Sequence, residues 1–418
     1  MTGVESPTGQ RLRGVENQVS YPYSSEAFAK LGVRSWINAE NWSTAIGGAY
    51  LDDRVVAAMR DAAGSFCDMF ELTERANARI AELCEVDSAY LTAGAASAIV
   101  LATAACITGP DQRRILQLSG AIDGKENLAN EVIMQIPHSS HYDYQYVAGG
   151  ARLVRVGSAY RVTETDLETA ISERTACIAY VNSYHNGPRD LPFSAVSRIA
   201  HQYQVPLFVD SAAILPPRAN LHRFIDEGAD LVAFSGGKAV RAPGNTGILV
   251  AGAGRGRRLM DAIRMQSYPN YGIGRAFKVN KESVAGFVAA LELFLATDEE
   301  AEYQAMLASV ERLKTPLSAR KGLDVRVIPN DGHDFEHPIS ARVPRLYLEW
   351  EPAIVGFDAV GLDDLLAAGD PPIRLRKPQL TQDNTVTSRS IRLVDPYSLR
   401  PEEETILVER LLACFPAA

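Results

Sequence analysis

Cysteine is scarce and scattered. The five residues, Cys67, Cys84, Cys106, Cys177 and Cys414, are odd in number and form no Cys-x-x-Cys pair. That excludes a zinc knuckle and a disulfide framework, and fits thiols kept reduced. Long apolar runs are also missing. The longest, 93–107, has 15 residues with a glycine near its start, short of the ~20 that a membrane span needs. The opening MTGVESPTGQRLRG lacks the apolar stretch of a secretory leader, so a cytoplasmic protein is expected. Positive charge is in deficit. Lys and Arg number 42 against 51 Asp and Glu, a formal net charge of −9. This argues against a generic binder of nucleic acid or anionic membrane. Internal repeats and low-complexity tracts are absent.

What is present suffices for a large core. Of 418 residues, 46% are hydrophobic and 22% charged, which excludes a disordered chain and suggests two or three domains. Residues 1–45 read as a polar N-terminal arm. Helical spacing begins near Ala57 and continues through 68–84. Apolar strand-like runs then alternate with helical ones. Strands are expected at 89–92, 132–136, 151–156, 176–181, 206–209, 231–234 and 246–250. Helices are expected at 94–107, 165–171, 193–203 and 221–227, the second of them behind a threonine cap with a glutamate later in the turn. Buried strands separated by helices of about ten residues predict an α/β domain with a mostly parallel sheet over 46–280. Beyond it, two long helices (282–297, 300–319), strands at 324–328, 345–350 and 390–394, and a last helix (402–414) predict a smaller α+β domain over 281–418.

Two residues carry the strongest chemistry. Asp210 ends the apolar run PLFVD, and Lys238 follows the run DLVAF in Ser235-Gly236-Gly237-Lys238. Ligands in α/β sheets bind at the carboxyl ends of strands. Both side chains therefore fall at one rim. A lysine and a carboxylate there suit pyridoxal 5′-phosphate (PLP). The lysine forms the Schiff base, and the carboxylate keeps the pyridine nitrogen protonated, so the ring acts as an electron sink. Ser235 offers a hydroxyl to the phosphate, and the glycines admit a tight turn. A lysine on a surface loop and a capping aspartate would give the same pair of letters.

Three other motifs are less specific. The small residues of TAGAASA (92–98) fit either backbone amides cradling a phosphate at a helix start or close helix packing. His138 and His141 in PHSSHYDYQY invite a metal, but no third ligand lies nearby in the sequence. An imidazole stacked on a flat ring is the better reading, and no metal is expected. Gly252-Ala253-Gly254-Arg255-Gly256 mimics a dinucleotide fingerprint, but Arg257 stands where the pattern needs glycine, so a plain turn is expected. An amino-acid substrate would need an arginine fork for its carboxylate. Arg275, Arg374, Arg389 and Arg392 are candidates.

Together these segments resemble a known family. They are Ile37-Asn38-Ala39 with Thr44 and Gly47-Gly48, FCDMFEL at 66–72, TAGAASA at 92–98, VDSAA at 209–213, GADLVAFSGGKAVRAPGNTGIL at 228–249 and GIGRAFKVNKES at 272–283. They look like the fold-type-I PLP group that includes bacterial selenocysteine synthase (L-seryl-tRNA selenium transferase) and D-glucosaminate-6-phosphate ammonia-lyase. The resemblance is good over about 35–300 and loose beyond. It implies Lys238 as the Schiff-base lysine and Asp210 as the partner of the ring nitrogen. Gly94, Ala95, Ala96, Ser235 and Gly237 would hold the phosphate, and His138 would stack on the ring. Thr246 would reach a neighbouring subunit's cofactor, implying a homodimer or a higher oligomer of dimers. Thr44, Arg275 and Arg392 are the substrate-binding candidates. One departure is Ala242-Pro243 where the family has Gly-Pro. About 35 residues precede the Ile-Asn-Ala segment, and with the acidic charge this makes a tRNA substrate unexpected.

The expected reaction starts from an α-carbanion on a small amino acid or amino-sugar acid. Elimination of a β-substituent would yield a keto acid and ammonia, the lyase reading. Reprotonation from the other face, with His138, Tyr142 or Tyr144 as the second acid, would make a racemase or epimerase. Proton transfer to the cofactor would make an aminotransferase. A non-catalytic binding protein of the same fold would have no need to keep both Lys238 and Asp210.

Overall fold

The computed structural model describes residues 21–182, 187, 189–330, 341–378 and 389–417. Seven strands form the main sheet: β2 (Ser88–Thr92), β3 (Glu131–Gln135), β4 (Arg152–Val156), β5 (Thr175–Val181), β6 (Leu207–Asp210), β7 (Leu231–Ser235) and β8 (Gly247–Ala251). Their order is β2-β8-β7-β6-β5-β3-β4. All neighbours are parallel except β8, which runs antiparallel to both β7 and β2. The mostly parallel α/β sheet expected from the sequence is therefore present, each expected strand shifted by at most a residue or so.

Successive side chains of a strand point to opposite faces, and both faces here are covered. Ile178, Val209, Val232 and Phe234 face one core, which helices Phe193–Gln202, Asn220–Asp226 and Lys281–Ala296 complete. Cys177, Ala179, Phe208 and Ala233 face the other, against helices Ala95–Thr108 and Arg255–Gln266. Each large side chain so buried contributes roughly 1.5–3 kcal/mol. Helix Lys281–Ala296 begins at the expected domain boundary yet packs on helix Asp53–Ala63 and into the large sheet's core. Helix Glu164–Ala170 starts with a capping box in which Thr163 pairs with Asp166, so the expected acidic partner is an aspartate rather than a glutamate.

A second, antiparallel sheet has the order β12-β10-β9: β9 (Leu323–Ile328), β10 (Arg345–Trp350) and β12 (Ser390–Val394). Alternate residues of β10 and β12 are buried, because helices Glu299–Leu317 and Pro401–Cys414 cover one face. Two three-residue strands, β1 (Ile37–Ala39) and β11 (Ile373–Leu375), pair in parallel. The segment expected to be an arm thus contributes a strand alongside the C-terminal part of the chain. Among the described residues no helix is long and apolar enough to cross a membrane.

Candidate active site

The rim at the carboxyl ends of β5, β6 and β7 collects the predicted residues. Asp210 is the last residue of β6, and its neighbours across the sheet are Val181 of β5 and Ala233 of β7. Ser235 ends β7 and pairs with Gly247, which in turn pairs with Thr92. Because β8 is antiparallel, its first residue sits where β7 and β2 end. Gly94, Ala95, Asp210, Ser235 and Lys238 are therefore gathered along one edge. The same reversal sends the far end of β8, and the Gly252–Gly256 turn after it, to the opposite rim. That segment is a turn at Gly254 opening helix Arg255–Gln266.

Backbone bonds shape the lysine loop. The Gly236 N–H donates to the Thr246 carbonyl (2.8 Å), Ala242 N–H to the Gly236 carbonyl (2.9 Å) and Arg241 N–H to the Lys238 carbonyl (2.9 Å). A Cβ on Gly237 would lie 2.6 Å from the Gly244 Cα, so the fold of this loop needs glycine there. The 3-10 turn Thr44–Ile46 abuts it, with Ala49 N–H donating to the Gly237 carbonyl (3.3 Å). Thr44 itself is exposed beside this loop. Thr246 is fully buried and its hydroxyl donates to the Pro243 carbonyl (2.6 Å). Thr246 thereby shapes the loop.

Charge at the rim is tuned by burial. Burial pushes the Asp210 carboxyl above the usual range, opposed by the Ala212 N–H and by Lys238. The Ala212 bond is 3.1 Å. Burial lowers Lys238; Asp210 pulls the other way, and the Arg376 guanidinium lowers it further. Arg376 is the residue that sequence reasoning missed. It follows β11, and its N–H donates to the Leu393 carbonyl of β12 (2.9 Å). The arginines singled out from the sequence are engaged elsewhere. Arg374 pairs with Glu40 (2.7 Å), Arg389 with Glu349 (3.6 Å) and Arg392 with Asp363 (2.7 Å). Arg392 is buried and bidentate on that aspartate, so its fork is closed. Arg275 stacks over the rings of Tyr268 (5.3 Å) and Tyr271 (5.7 Å).

His138 and His141 diverge. His138 is buried just beyond β3, edge-on to Tyr180 (4.8 Å). Its Nδ1 accepts the Val181 N–H (3.2 Å), and its Nε2 faces Asp190 (3.4 Å). His141 is exposed. Among the described residues no group of three His, Cys, Asp or Glu could hold a metal.

Polar atoms without partners cluster at Asp210. Among the described residues Ser211 Oγ and Asn182 Nδ2 are buried and find no hydrogen-bond partner, and Asn182 N–H donates to the Asp210 carbonyl (2.8 Å). Helix Ala95–Thr108 starts behind Gly94 (φ 91°) with no side-chain cap. Its first amides are free to receive an anion. Buried unbonded groups are costly, and a polar ring with a phosphate arm would satisfy both sets.

Comparison with known proteins agrees with this geometry. The family model for SelA, L-seryl-tRNA selenium transferase, matches residues 44–322. A 5′-C-glycyluridine monooxygenase-decarboxylase of a Streptomyces species is 32% identical, over 92% of this chain and 90% of its own. A D-glucosaminate-6-phosphate ammonia lyase of Salmonella typhimurium is 28% identical, over 92% and 96%. A solved D-glucosaminate-6-phosphate ammonia-lyase superposes with a TM-score of 0.76 at 27% identity, covering 93% of this chain and 98% of that one. A Sphingomonas wittichii serine palmitoyltransferase shares the fold (TM-score 0.55, 13% identity, 92% and 88% covered). This is the fold-type-I architecture.

Proposed function

The chain belongs to the L-seryl-tRNA selenium transferase family, and from that premise we propose a PLP-dependent lyase that removes ammonia from a small amino acid or amino-sugar acid. The observation that carries it is the pairing of Asp210 with a lysine of lowered basicity at the ends of adjacent parallel strands. The residues present fit the cofactor. Amides of Gly94, Ala95 and Ala96, with Ser235 and Gly237, would hold its phosphate. Asp210 would hold its ring nitrogen, with Ser211 and Asn182 supplying the unpaired polar atoms alongside. When bound, PLP supplies an aldehyde for the amine of Lys238 or substrate and a ring that takes up the electron pair left at Cα.

The protein's own groups do the rest. Lys238, buried and beside Arg376, gives up its proton more readily than an ordinary lysine, which suits a base that takes the α-proton. Arg376 is the guanidinium best suited to the substrate carboxylate, and Arg275 is a second cation for a remote anionic group. His138 keeps its proton on Nε2, because Nδ1 accepts the Val181 N–H. This fixes the ring's plane, which would form a wall of the site. Loss of a β-substituent after α-proton removal gives an enamine, which water converts to a keto acid and ammonia. The acidic net charge favours a small-molecule substrate over tRNA, and exposed Phe66 and Phe70 in the family segment 66–72 favour self-association. Intracellular action is part of the same proposal.

Proton NMR in heavy water tests this with PLP-loaded protein and a panel of D- and L-amino acids, including β-hydroxy and sugar-derived ones. Keto acid and ammonia without an added acceptor are expected. Loss of the α-proton signal from both enantiomers with intact amino acid would replace the lyase with a racemase, and a requirement for an acceptor keto acid would indicate an aminotransferase. The Streptomyces relative supports a second reading, oxidative decarboxylation of a glycyl-nucleoside. Oxygen uptake with carbon dioxide release would select it.

A further inference from the structure

The loop carrying Lys238 is tied to the second sheet, and we infer that Arg241, Glu302 and Tyr397 are positioning residues that set where the Lys238 main chain sits. This rests on the reading of Lys238 as the reactive amine.

Arg241 has φ 54°, in the left-handed region. A non-glycine residue stays there only when its surroundings over-determine it. They do so here. Its Nη1 meets Glu302 Oε1 at 2.8 Å, and its Nη2 donates to the Tyr397 carbonyl at 3.1 Å. Its guanidinium lies over the Tyr397 ring at 4.2 Å and the Tyr50 ring at 5.7 Å. Tyr397 is buried, and its hydroxyl donates to the Ala239 carbonyl at 2.7 Å. Burial pushes that phenol well up, so it remains a donor throughout the working pH range. Arg241 N–H closes on the Lys238 carbonyl at 2.9 Å. The chain just after the lysine is thus held by a tie at residue 239 and another at residue 241.

Both ties come from outside the large sheet. Glu302 lies on helix Glu299–Leu317, and Tyr397 follows β12. Tyr397 N–H in turn donates to Asp395 (3.1 Å), and its ring meets Trp42 edge-on at 5.0 Å. Arg376, whose charge is felt at Lys238, bridges to Leu393 of the same β12. A shift of β12 as substrate enters would therefore move the guanidinium and the lysine main chain together. Arg241 and Tyr397 act through Lys238 and touch no reacting atom, so a purely structural staple is the alternative to exclude.

The test uses Tyr397→Phe, Glu302→Gln and Arg241→Lys. One readout is hydrogen exchange of peptides spanning 236–242, in cofactor-free and PLP-loaded protein. The other is the pH midpoint of the bound PLP absorbance. Losing the Tyr397 bond is expected to speed exchange of the Arg241 and Ala242 amides by about tenfold and to move the midpoint by about half a pH unit. Glu302→Gln should move both in the same direction and by less, and it carries the test if Tyr397→Phe does not fold. Variants that melt at lower temperature yet keep the wild-type exchange and midpoint would overturn the inference and leave a staple. If the wild type takes up no PLP, the reading of Lys238 fails instead, and exchange in the cofactor-free chain still decides whether the tie exists.

Discussion

Alanine at position 247 is expected to cost PLP affinity out of proportion to its size. Gly247 lies between Thr92 and Ser235 across the sheet. A Cβ there would stand 2.7 Å from the Gly94 carbonyl carbon and 2.8 Å from both Ala95 N and Phe234 O. All three are backbone atoms, so no flexible side chain can swing aside. Ordinary contact starts at 3.4 Å, so the start of helix Ala95–Thr108 must retreat by roughly 0.7 Å. Overpacking of this kind costs about 1–3 kcal/mol of stability. The same retreat stretches amides proposed to hold the phosphate. One lost hydrogen bond to a charged group is worth about 1.5–3 kcal/mol, or about 10- to 150-fold in Kd. Titrating cofactor-free Gly247→Ala with PLP by absorbance reads that loss, and a melting curve reads the first. Gly254→Ala is the control. Its φ of 65° makes alanine strained, but nothing lies within 4 Å and it sits at the opposite rim. It should lose about 1 kcal/mol of stability and no PLP affinity. A Gly247→Ala protein that melts lower yet binds PLP within twofold of wild type would refute the cradle at Gly94–Ala96.

Three further outcomes are expected. Asp210→Asn should slow α-proton exchange in heavy water by about 10²- to 10³-fold while PLP stays bound; exchange at the wild-type rate would remove Asp210 from the ring nitrogen. Arg376→Gln deletes a cation that lowers Lys238, so the ammonium is favoured and the pH at which α-proton exchange switches on should move upward; a static or lower midpoint would contradict the pairing. Asp395 is fully buried between Arg345 (2.8 Å) and Asn41 (2.7 Å). Asp395→Asn should therefore cost about 3–5 kcal/mol in chemical denaturation, since the half-buried Arg345 guanidinium loses its counter-charge in the interior; a loss under about 1 kcal/mol would mean that water already screens the pair.

Strands buried on both faces were readable because nothing polar interrupts them: LFVD and LVAF announce their own ends, and with them Asp210 and Ser235. Pairings distant in sequence were not readable. Strands β1 and β11 are three residues each and meet only after more than 300 intervening residues, so no local pattern marks them. Arg376 escaped for the same reason. It lies two residues past Arg374, whose side chain takes the Glu40 carboxylate, while Arg376 reaches the Glu40 carbonyl and only its backbone bridge to Leu393 ties it to β12. Helix Asp143–Ala148 was hidden by aromatic residues, Tyr144 exposed and Tyr146 buried. The crowded arginine candidates could be sorted only by seeing which carboxylates or rings had already taken them.

The pairing of β1 with β11 also sets a schedule for synthesis. Every strand of the main sheet has been made by residue 251, whereas β1 waits for residues 373–375 and Tyr397 comes later still. Domains generally fold as units while the chain emerges, so the large sheet can close around its two cores first. The lysine loop then exists for a time without its tie to Tyr397. Only when the chain up to Tyr397 has left the ribosome can Ala239 be caught and the hold on Arg241 be completed, so a chain truncated before Tyr397 would carry both Asp210 and Lys238 yet lack this hold on the segment just after the lysine.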